Sequence, residues 1–175
     1  RPERAPFTLL FVGNNTRRKG ADLLPTIMAQ LPDDIRLRYT GGLRDDPVAA
    51  ADPRLQPTGR LSDEELRGEY RRADALIFPT RYEGFGYAAA EAMACGTPVI
   101  ASDCSSLPEV IRHGETGILC PTDDATAFAN ATQRLTDEPE TRARMGEAAR
   151  HHVVTRFSVV TMVREYLRIL QELLR

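Results

Sequence analysis

The sequence predicts an α/β domain in which a parallel β-sheet is covered by helices on both faces. Short apolar segments alternate with longer segments of helical periodicity along most of the 175 residues, and glycine-rich loops follow several of the predicted strands. A hydrophobic content of 42% at this length is enough for one domain with its own core. We therefore interpret residues 1–6 as a linker or boundary and residues 7–175 as a single domain.

The predicted elements follow one another in the order expected for strand–helix units. The predicted strands are Phe7–Val12, Ile35–Tyr39, Leu55–Thr58, Ala75–Phe78, Pro98–Ala101 and Ile118–Leu119. The predicted helices are Ala21–Gln30, Asp63–Arg72, a helix between Gly86 and Cys95, Leu107–Arg112, a helix from Asp123 or Asp124 to Thr136, Pro139–Val154 and a last helix over about 158–175. Ser62 and Glu65 predict a capping box, and the segment 43–53 is interpreted as a surface loop.

The stretch from Glu83 to Glu91 predicts an anion-binding loop. Gly84 and Gly86 lead from a buried strand into an alanine-rich helix, whose first N–H groups have no intrahelical partner. Glycine at these positions removes the Cβ atoms that would hold a phosphate away from the backbone. We therefore expect the N–H groups of residues 85–87 to face a phosphate.

Two carboxylates flank this loop. Helical geometry places Glu83 and Glu91 on the order of 10 Å apart, a span that suits a sugar at one end and a ribose at the other. The residues alone also allow a simpler interpretation, in which Glu83 interacts with the helix dipole and Glu91 is solvated on the outer helix face.

A second strand–loop–helix junction carries positive charge. Arg17, Arg18 and Lys19 precede Gly20 and the next predicted helix, where cations oppose the helix dipole unless an anion is present. Lys19 is the only lysine among 23 basic residues, and its compact ammonium group suits a phosphate. We expect this loop and the Glu83 loop to meet, because both follow strands of one parallel sheet.

The pattern Glu83, seven residues, Glu91 lies within Tyr-Glu-Gly-Phe-Gly and Glu-Ala-Met-Ala-Cys-Gly-Thr-Pro-Val-Ile. This long signature resembles the retaining GT-B glycosyltransferases of the group 1 family, and the similarity runs from about Phe7 to the end. It implies the C-terminal, Rossmann-like half of such an enzyme, which binds a nucleotide diphosphate sugar based on UDP or GDP. The implied full-length protein is a bacterial, cytoplasmic hexosyltransferase whose missing N-terminal domain holds an acceptor sugar, lipid or glycan. The isolated domain is expected to be inactive.

The resemblance also assigns roles by position. It places Lys19 on the donor diphosphate, with a second cation supplied by Arg17 or Arg18 because Asn14 stands where the family has arginine. Glu83 is implied to orient the donor sugar and Glu91 to accept from the ribose hydroxyls. The implied donor-binding set is Arg18, Leu61 near the base, Gly84, Phe85, Gly86, Tyr87 and Glu91, with Glu83 and Lys19 as catalytic residues.

Composition excludes several other functions. A net charge of −2 gives no electrostatic reason to expect nucleic acid as a partner. Cys95, Cys104 and Cys120 form neither a disulfide framework nor a metal-ligand spacing, which favours a reducing cytoplasm. No apolar run of about 18 residues predicts a membrane span, so at most a peripheral contact with the inner face of a membrane is expected.

Paired acids could suggest a metal, but turn and cap chemistry explains them better. The pairs are Asp33–Asp34, Asp45–Asp46 and Asp123–Asp124. His113 is interpreted as a turn residue rather than a general base. We therefore expect no bound metal and no cofactor, in agreement with the resemblance.

Three other interpretations stay open. The domain could be a nucleotide-sugar sensor without catalysis, or part of a sugar phosphorylase or epimerase of the same fold. The third interpretation concerns the last helix, whose apolar residues recur every three or four positions. This face is expected to pack on the missing N-terminal domain or, without it, to drive dimerisation.

Overall fold

The computed structural model describes residues 6–14, 16–41 and 52–174. Its centre is a six-stranded sheet with the order β3-β2-β1-β4-β5-β6, in which every neighbouring pair is parallel. The strands are β1 Thr8–Phe11, β2 Arg36–Tyr39, β3 Leu55–Pro57, β4 Ala75–Phe78, β5 Val99–Ser102 and β6 Gly117–Cys120. The six predicted strands are therefore confirmed, with ends that differ by at most one residue.

Helices connect these strands and cover the sheet. They are α1 Leu24–Met28, α2 Asp63–Arg72, α3 Tyr87–Ala94, α4 Leu107–Val110, α5 Ala125–Asp137, α6 Pro139–Arg156 and α7 Val159–Leu173. The capping box of α2 is confirmed, since the Glu65 N–H donates to the Ser62 hydroxyl and the Ser62 N–H donates to the Glu65 carboxylate. Asp124 rather than Asp123 caps α5. The predicted loop 43–53 lies largely outside the described residues.

The core is divided between the two faces of the sheet. Alternate strand residues such as Leu9 and Leu10 point to opposite sides, so each face has its own apolar cluster. Residues of α1 and α5, with Met145 of α6, fill one cluster, and residues of α2, α3, α4 and α6 fill the other. Small residues allow close approach on the second face, where Ala89 and Ala92 of α3 are fully buried. Helices on both faces are therefore confirmed.

The prediction of one helix over Ala21–Gln30 is wrong in its form. Two 3₁₀ turns, Arg17–Lys19 and Ala21–Leu23, precede a short α1. Gly20 lies between the turns in the left-handed conformation, and Pro25 lacks the N–H group that an earlier α-helical start would use. The Lys19 loop is therefore not followed directly by an α-helical N-terminus.

Helix α7 comes last in the chain, and its side chains stay accessible to solvent. No described residue of this helix is buried, although it carries a continuous apolar face. Among the described residues, no helix is both long enough and apolar enough to cross a membrane.

Strand order sets the position of the candidate site. The chain crosses to the other side of β1 between β3 and β4, so the loops that follow β1 and β4 diverge at the carboxyl edge of neighbouring strands. In open α/β sheets, ligands bind in the crevice at this switch point. The loop with Lys19 follows β1, and the loop with Glu83 follows β4.

Candidate functional site

Lys19 and Glu83 form the centre of the polar cluster at the switch point. The Lys19 ammonium donates to Glu83 Oε1 at 2.6 Å, and the two side chains are 17% and 8% exposed. The Thr80 hydroxyl, which is fully buried, lies 3.0 Å from the same oxygen. Lys19 Nζ also lies 5.1 Å from the centre of the Phe78 ring. The two residues predicted to be catalytic are therefore brought together, in contact with each other.

Glycine permits the close approach of these two loops. Gly20 has φ 71°, and a Cβ atom there would lie 1.8 Å from the carbonyl oxygen of Pro79. No side chain can occupy that space, because the obstacle is backbone rather than a flexible group. The absence of a side chain at Gly20 therefore allows the Lys19 loop to pack directly against the end of β4.

Hydrogen bonds to backbone carbonyl groups also connect the two loops. The Arg81 N–H donates to the Arg18 carbonyl at 2.8 Å, and the Arg18 guanidinium donates to the Tyr82 carbonyl at 3.0 Å. Arg18 Nη1 lies 3.5 Å from Glu83 Oε1 and its side chain is half exposed. Of the two arginines considered for the second cation, Arg18 thus reaches the cluster, and Arg17 accepts a hydrogen bond from Arg81 through its carbonyl. Asn14 is exposed and accepts from the Thr16 hydroxyl.

The N-terminus of α3 opens beside this cluster. Gly86 is the N-cap with φ 88°, and no side chain caps the helix. The positive φ favours glycine, and a Cβ atom at Gly86 would lie 2.7 Å from Leu107 Cδ2, so that side chain would have to shift. Gly84 differs, because a Cβ atom there would meet nothing within 4 Å. The described residues therefore give no steric reason for glycine at position 84.

Two aromatic residues flank this helix start. Phe85 is partly buried and packs edge-on against Phe157 at 5.5 Å, while Tyr87 lies 5.1 Å from Phe85 and is 74% exposed. The Phe85 side chain therefore fastens the loop to the end of α6. Tyr87 presents its ring to solvent beside the loop.

Glu91 lies one turn into α3 and faces α2. Its Oε2 accepts from the Tyr70 hydroxyl at 2.9 Å, and its side chain is exposed. It borders a cleft of about 320 Å³ between α2 and α3. The other residues that line this cleft are Asp63, Leu66, Arg67, Tyr70, Ala94 and Cys95. Leu61 is half-buried in the turn just before α2, two residues from Asp63.

Arg81 is a residue whose role sequence reasoning missed. Its guanidinium bonds both Asp22, at 2.8 and 3.0 Å, and Asp123, at 2.6 Å, so it joins the loops that follow β1, β4 and β6. Arg81 lowers the pKa of the Asp22 carboxyl, chiefly through this hydrogen bond. Asp123 therefore forms an ion pair with Arg81.

The histidines lie outside the cluster. His113 Nδ1 accepts from the Leu119 N–H at 3.0 Å, a structural contact that fits its interpretation as a turn residue. His152 is buried at 6% exposure beside Phe157. Within residues 6–14, 16–41 and 52–174, no group of three acidic, histidine or cysteine side chains could hold a metal ion.

A Rossmann-like sheet with its polar cluster at the switch point defines a class of α/β domains that bind ligands at the carboxyl edge. A sequence model of the glycosyl transferases group 1 family matches residues 2–152. A D-inositol 3-phosphate glycosyltransferase of Pseudarthrobacter chlorophenolicus is 37% identical over 164 residues, which cover 82% of this chain and 37% of that protein. The chain therefore belongs to the glycosyl transferases group 1 family, and its fold is that of the GT-B glycosyltransferases.

Solved structures agree with this fold. Sucrose-phosphate synthase from Thermosynechococcus elongatus superposes with a TM-score of 0.85 at 33% identity, covering 97% of this chain and 46% of that one. HepE from Anabaena, solved in complex with UDP-glucose, superposes with a TM-score of 0.85 at 21% identity, covering 95% and 49%. This chain thus spans less than half the length of these proteins.

Proposed function

We propose that this chain is the nucleotide-sugar-binding part of a retaining glycosyltransferase. The full enzyme would transfer a hexosyl group from a nucleoside diphosphate sugar to an acceptor. The observation that carries the proposal is the Lys19–Glu83 pair at the switch point, beside the uncapped N-terminus of α3. The relatives named above and the UDP-glucose held by HepE support the donor class.

The proposed chemistry follows from the leaving group. Breaking the bond at the anomeric carbon adds negative charge to the diphosphate, which is already anionic in the donor, and fixed donors stabilise this added charge in the transition state. Lys19, Arg18 and the N–H groups of residues 85–87 supply that positive potential. We propose that they do so without a bound metal, since the group of donors already provides full and partial positive charges.

Glu83 has a different proposed role. Its carboxylate accepts hydrogen bonds from Lys19 and Thr80. An arriving diphosphate would compete for the ammonium group, whose three N–H donors can serve both anions. Glu83 would then accept from the sugar hydroxyls and orient the anomeric carbon. We do not assign it as a covalent nucleophile, and retention is explained by attack on the same face as the leaving diphosphate.

We propose that Glu91 binds the ribose hydroxyls and that Leu61 contacts the base. Glu91 borders the α2–α3 cleft, and the Leu61 turn leads into the helix that forms the other side of this cleft. We propose that Tyr87, which is exposed beside Gly86, contacts the donor sugar.

Helix α7 indicates where the rest of the enzyme would contact this domain. Its exposed apolar side chains are 45–77% exposed, and the chain covers 37% of a curated relative. We propose that this face packs on the remaining part of the full-length protein, which would supply the acceptor site, so the isolated chain should not catalyse transfer.

Sedimentation at several concentrations tests the alternative of a dimer through α7: a strictly monomeric chain excludes it.

Calorimetric titration of the chain with UDP, GDP and ADP tests the proposed function. We expect saturable binding of at least one of them and weaker binding of the matching nucleoside, because the phosphate contacts are lost. Absence of binding by all three would contradict the proposal. Measurable sugar transfer by this chain alone would contradict the assignment of the acceptor site to another domain.

A further inference from the structure

Tyr70 joins the core of the domain to the Glu91 carboxylate. It lies near the end of α2, is 2% exposed, and packs in the apolar cluster that also contains residues of α3 and α6. Its hydroxyl leaves this apolar environment and donates to Glu91 Oε2 at 2.9 Å. The phenol therefore connects a rigid packed region with an exposed side chain.

The Tyr70 hydroxyl is fixed in position and in protonation state. The Thr97 hydroxyl donates to the Tyr70 carbonyl oxygen at 2.5 Å, which fastens this turn of α2 to the segment that leads into β5. Burial raises the pKa of the Tyr70 phenol, and the neighbouring Glu91 carboxylate raises it further. The phenol consequently remains a hydrogen-bond donor throughout the neutral range.

An exposed glutamate on a helix would otherwise sample several rotamers. Ordering a glutamate side chain costs up to about 2 kcal/mol of conformational entropy. The Tyr70 hydrogen bond occupies only one carboxylate oxygen, and among the described residues no other hydrogen bond to the Glu91 side chain is present. The second oxygen is therefore free to accept from a ligand in the α2–α3 cleft.

We propose that Tyr70 is a positioning residue that holds Glu91 in the rotamer that accepts from the ribose hydroxyls of the nucleotide. The inference rests on the proposed nucleotide-sugar function and adds a residue that does not itself touch the ligand. Tyr70 acts only through Glu91, so its effect should depend on the presence of both Glu91 and the ribose hydroxyls.

The test is a calorimetric titration of the 175-residue chain with UDP and with 2′,3′-dideoxy-UDP, which lacks the ribose hydroxyls. If GDP or ADP binds more tightly than UDP, that nucleotide and its dideoxy form are used in place of UDP and dideoxy-UDP. Tyr70→Phe removes the hydroxyl and keeps the ring. We expect Tyr70→Phe to weaken UDP binding about fivefold, the size of one ordinary hydrogen bond. Its affinity for dideoxy-UDP should equal that of the wild type.

Two further variants complete the design. In a Glu91→Ala background, which has no side-chain acceptor for the Tyr70 hydroxyl, Tyr70→Phe should cause less loss of UDP affinity than in the wild type, because Tyr70 acts only through Glu91. Tyr166→Phe removes the hydroxyl of an exposed tyrosine on α7 and should change neither affinity. For each variant, the affinity for UDP is divided by the affinity for dideoxy-UDP measured on the same protein preparation. Partial unfolding lowers both affinities equally and therefore cancels from this ratio.

The outcomes separate the two proposals. Equal loss of UDP and dideoxy-UDP affinity would assign Tyr70 a merely structural role and overturn the inference, as would unchanged UDP binding by Tyr70→Phe. A wild-type chain that binds none of UDP, GDP and ADP would overturn the proposed function and the inference with it.

Discussion

Replacing Gly20 by alanine should destabilise the domain through one identifiable contact. A left-handed backbone costs a residue with a side chain roughly 1–2 kcal/mol, and Gly20 has φ 71°. The added Cβ atom would also lie 1.8 Å from the Pro79 carbonyl oxygen, so the loop or the end of β4 must move. Overpacking of this kind costs about 1–3 kcal/mol more, which gives a total of about 2–5 kcal/mol.

Gly59 supplies a matched control. Its φ is 75°, but a Cβ atom there would meet nothing within 4 Å. Gly59→Ala therefore shares the conformational cost and the gain from a stiffer unfolded chain, and lacks only the clash. Urea denaturation should show a larger loss of unfolding free energy for Gly20→Ala than for Gly59→Ala. In thermal unfolding, the Tm of Gly20→Ala should lie about 4–20 °C below that of the wild type. Equal losses for the two variants would refute the packing of the Lys19 loop against β4.

Two further predictions concern the loop and the buried histidine. Gly84→Ala should change the unfolding free energy by less than about 0.5 kcal/mol because its Cβ enters open space, yet weaken UDP binding; unchanged affinity would exclude a ligand at this loop. Burial lowers the pKa of His152, with Arg112 and Arg156 adding to the effect, so the unfolded chain takes up the proton first on acidification. Stability should therefore fall as the pH drops below about 6.5, and His152→Asn should show a shallower decline between pH 7.5 and 5.5. Parallel declines would mean that another group titrates.

Elements of the fold were predictable where local pattern decides. The buried run Ala75–Phe78 has strand length, and Ser62 with Glu65 marks a helix start whatever surrounds it. The short form of α1 was missed because periodicity outweighed Gly20, which precedes the predicted helix, and Pro25, which lies inside it. The sequence pattern thus predicts the existence of a helix or strand more reliably than it predicts the residue at which that element ends.

The site was predictable as a meeting of loops and not as a set of contacts. Parallel strands bring their carboxyl ends to one edge, which is why Lys19 and Glu83 could be placed near each other from sequence. Their direct ion pair depends on the approach that Gly20 permits. Tyr70 and Arg81 were missed because their partners lie 21 or more residues away and are set by tertiary packing. The Tyr70–Leu66 spacing on one face of α2 was the available signal, and it indicates only a buried face.

The most direct test of the account compares wild type and Lys19→Met by titration with UDP, or the nucleoside diphosphate that binds best, and with its nucleoside. Methionine keeps an unbranched apolar side chain one atom shorter than lysine and removes the ammonium group, which contacts Glu83 and the Phe78 ring. If Lys19 faces the diphosphate, the variant should lose about tenfold in affinity for the diphosphate and nothing for the nucleoside. Equal affinities of the two proteins for the diphosphate would contradict the placement of the phosphates between Lys19 and the N-terminus of α3.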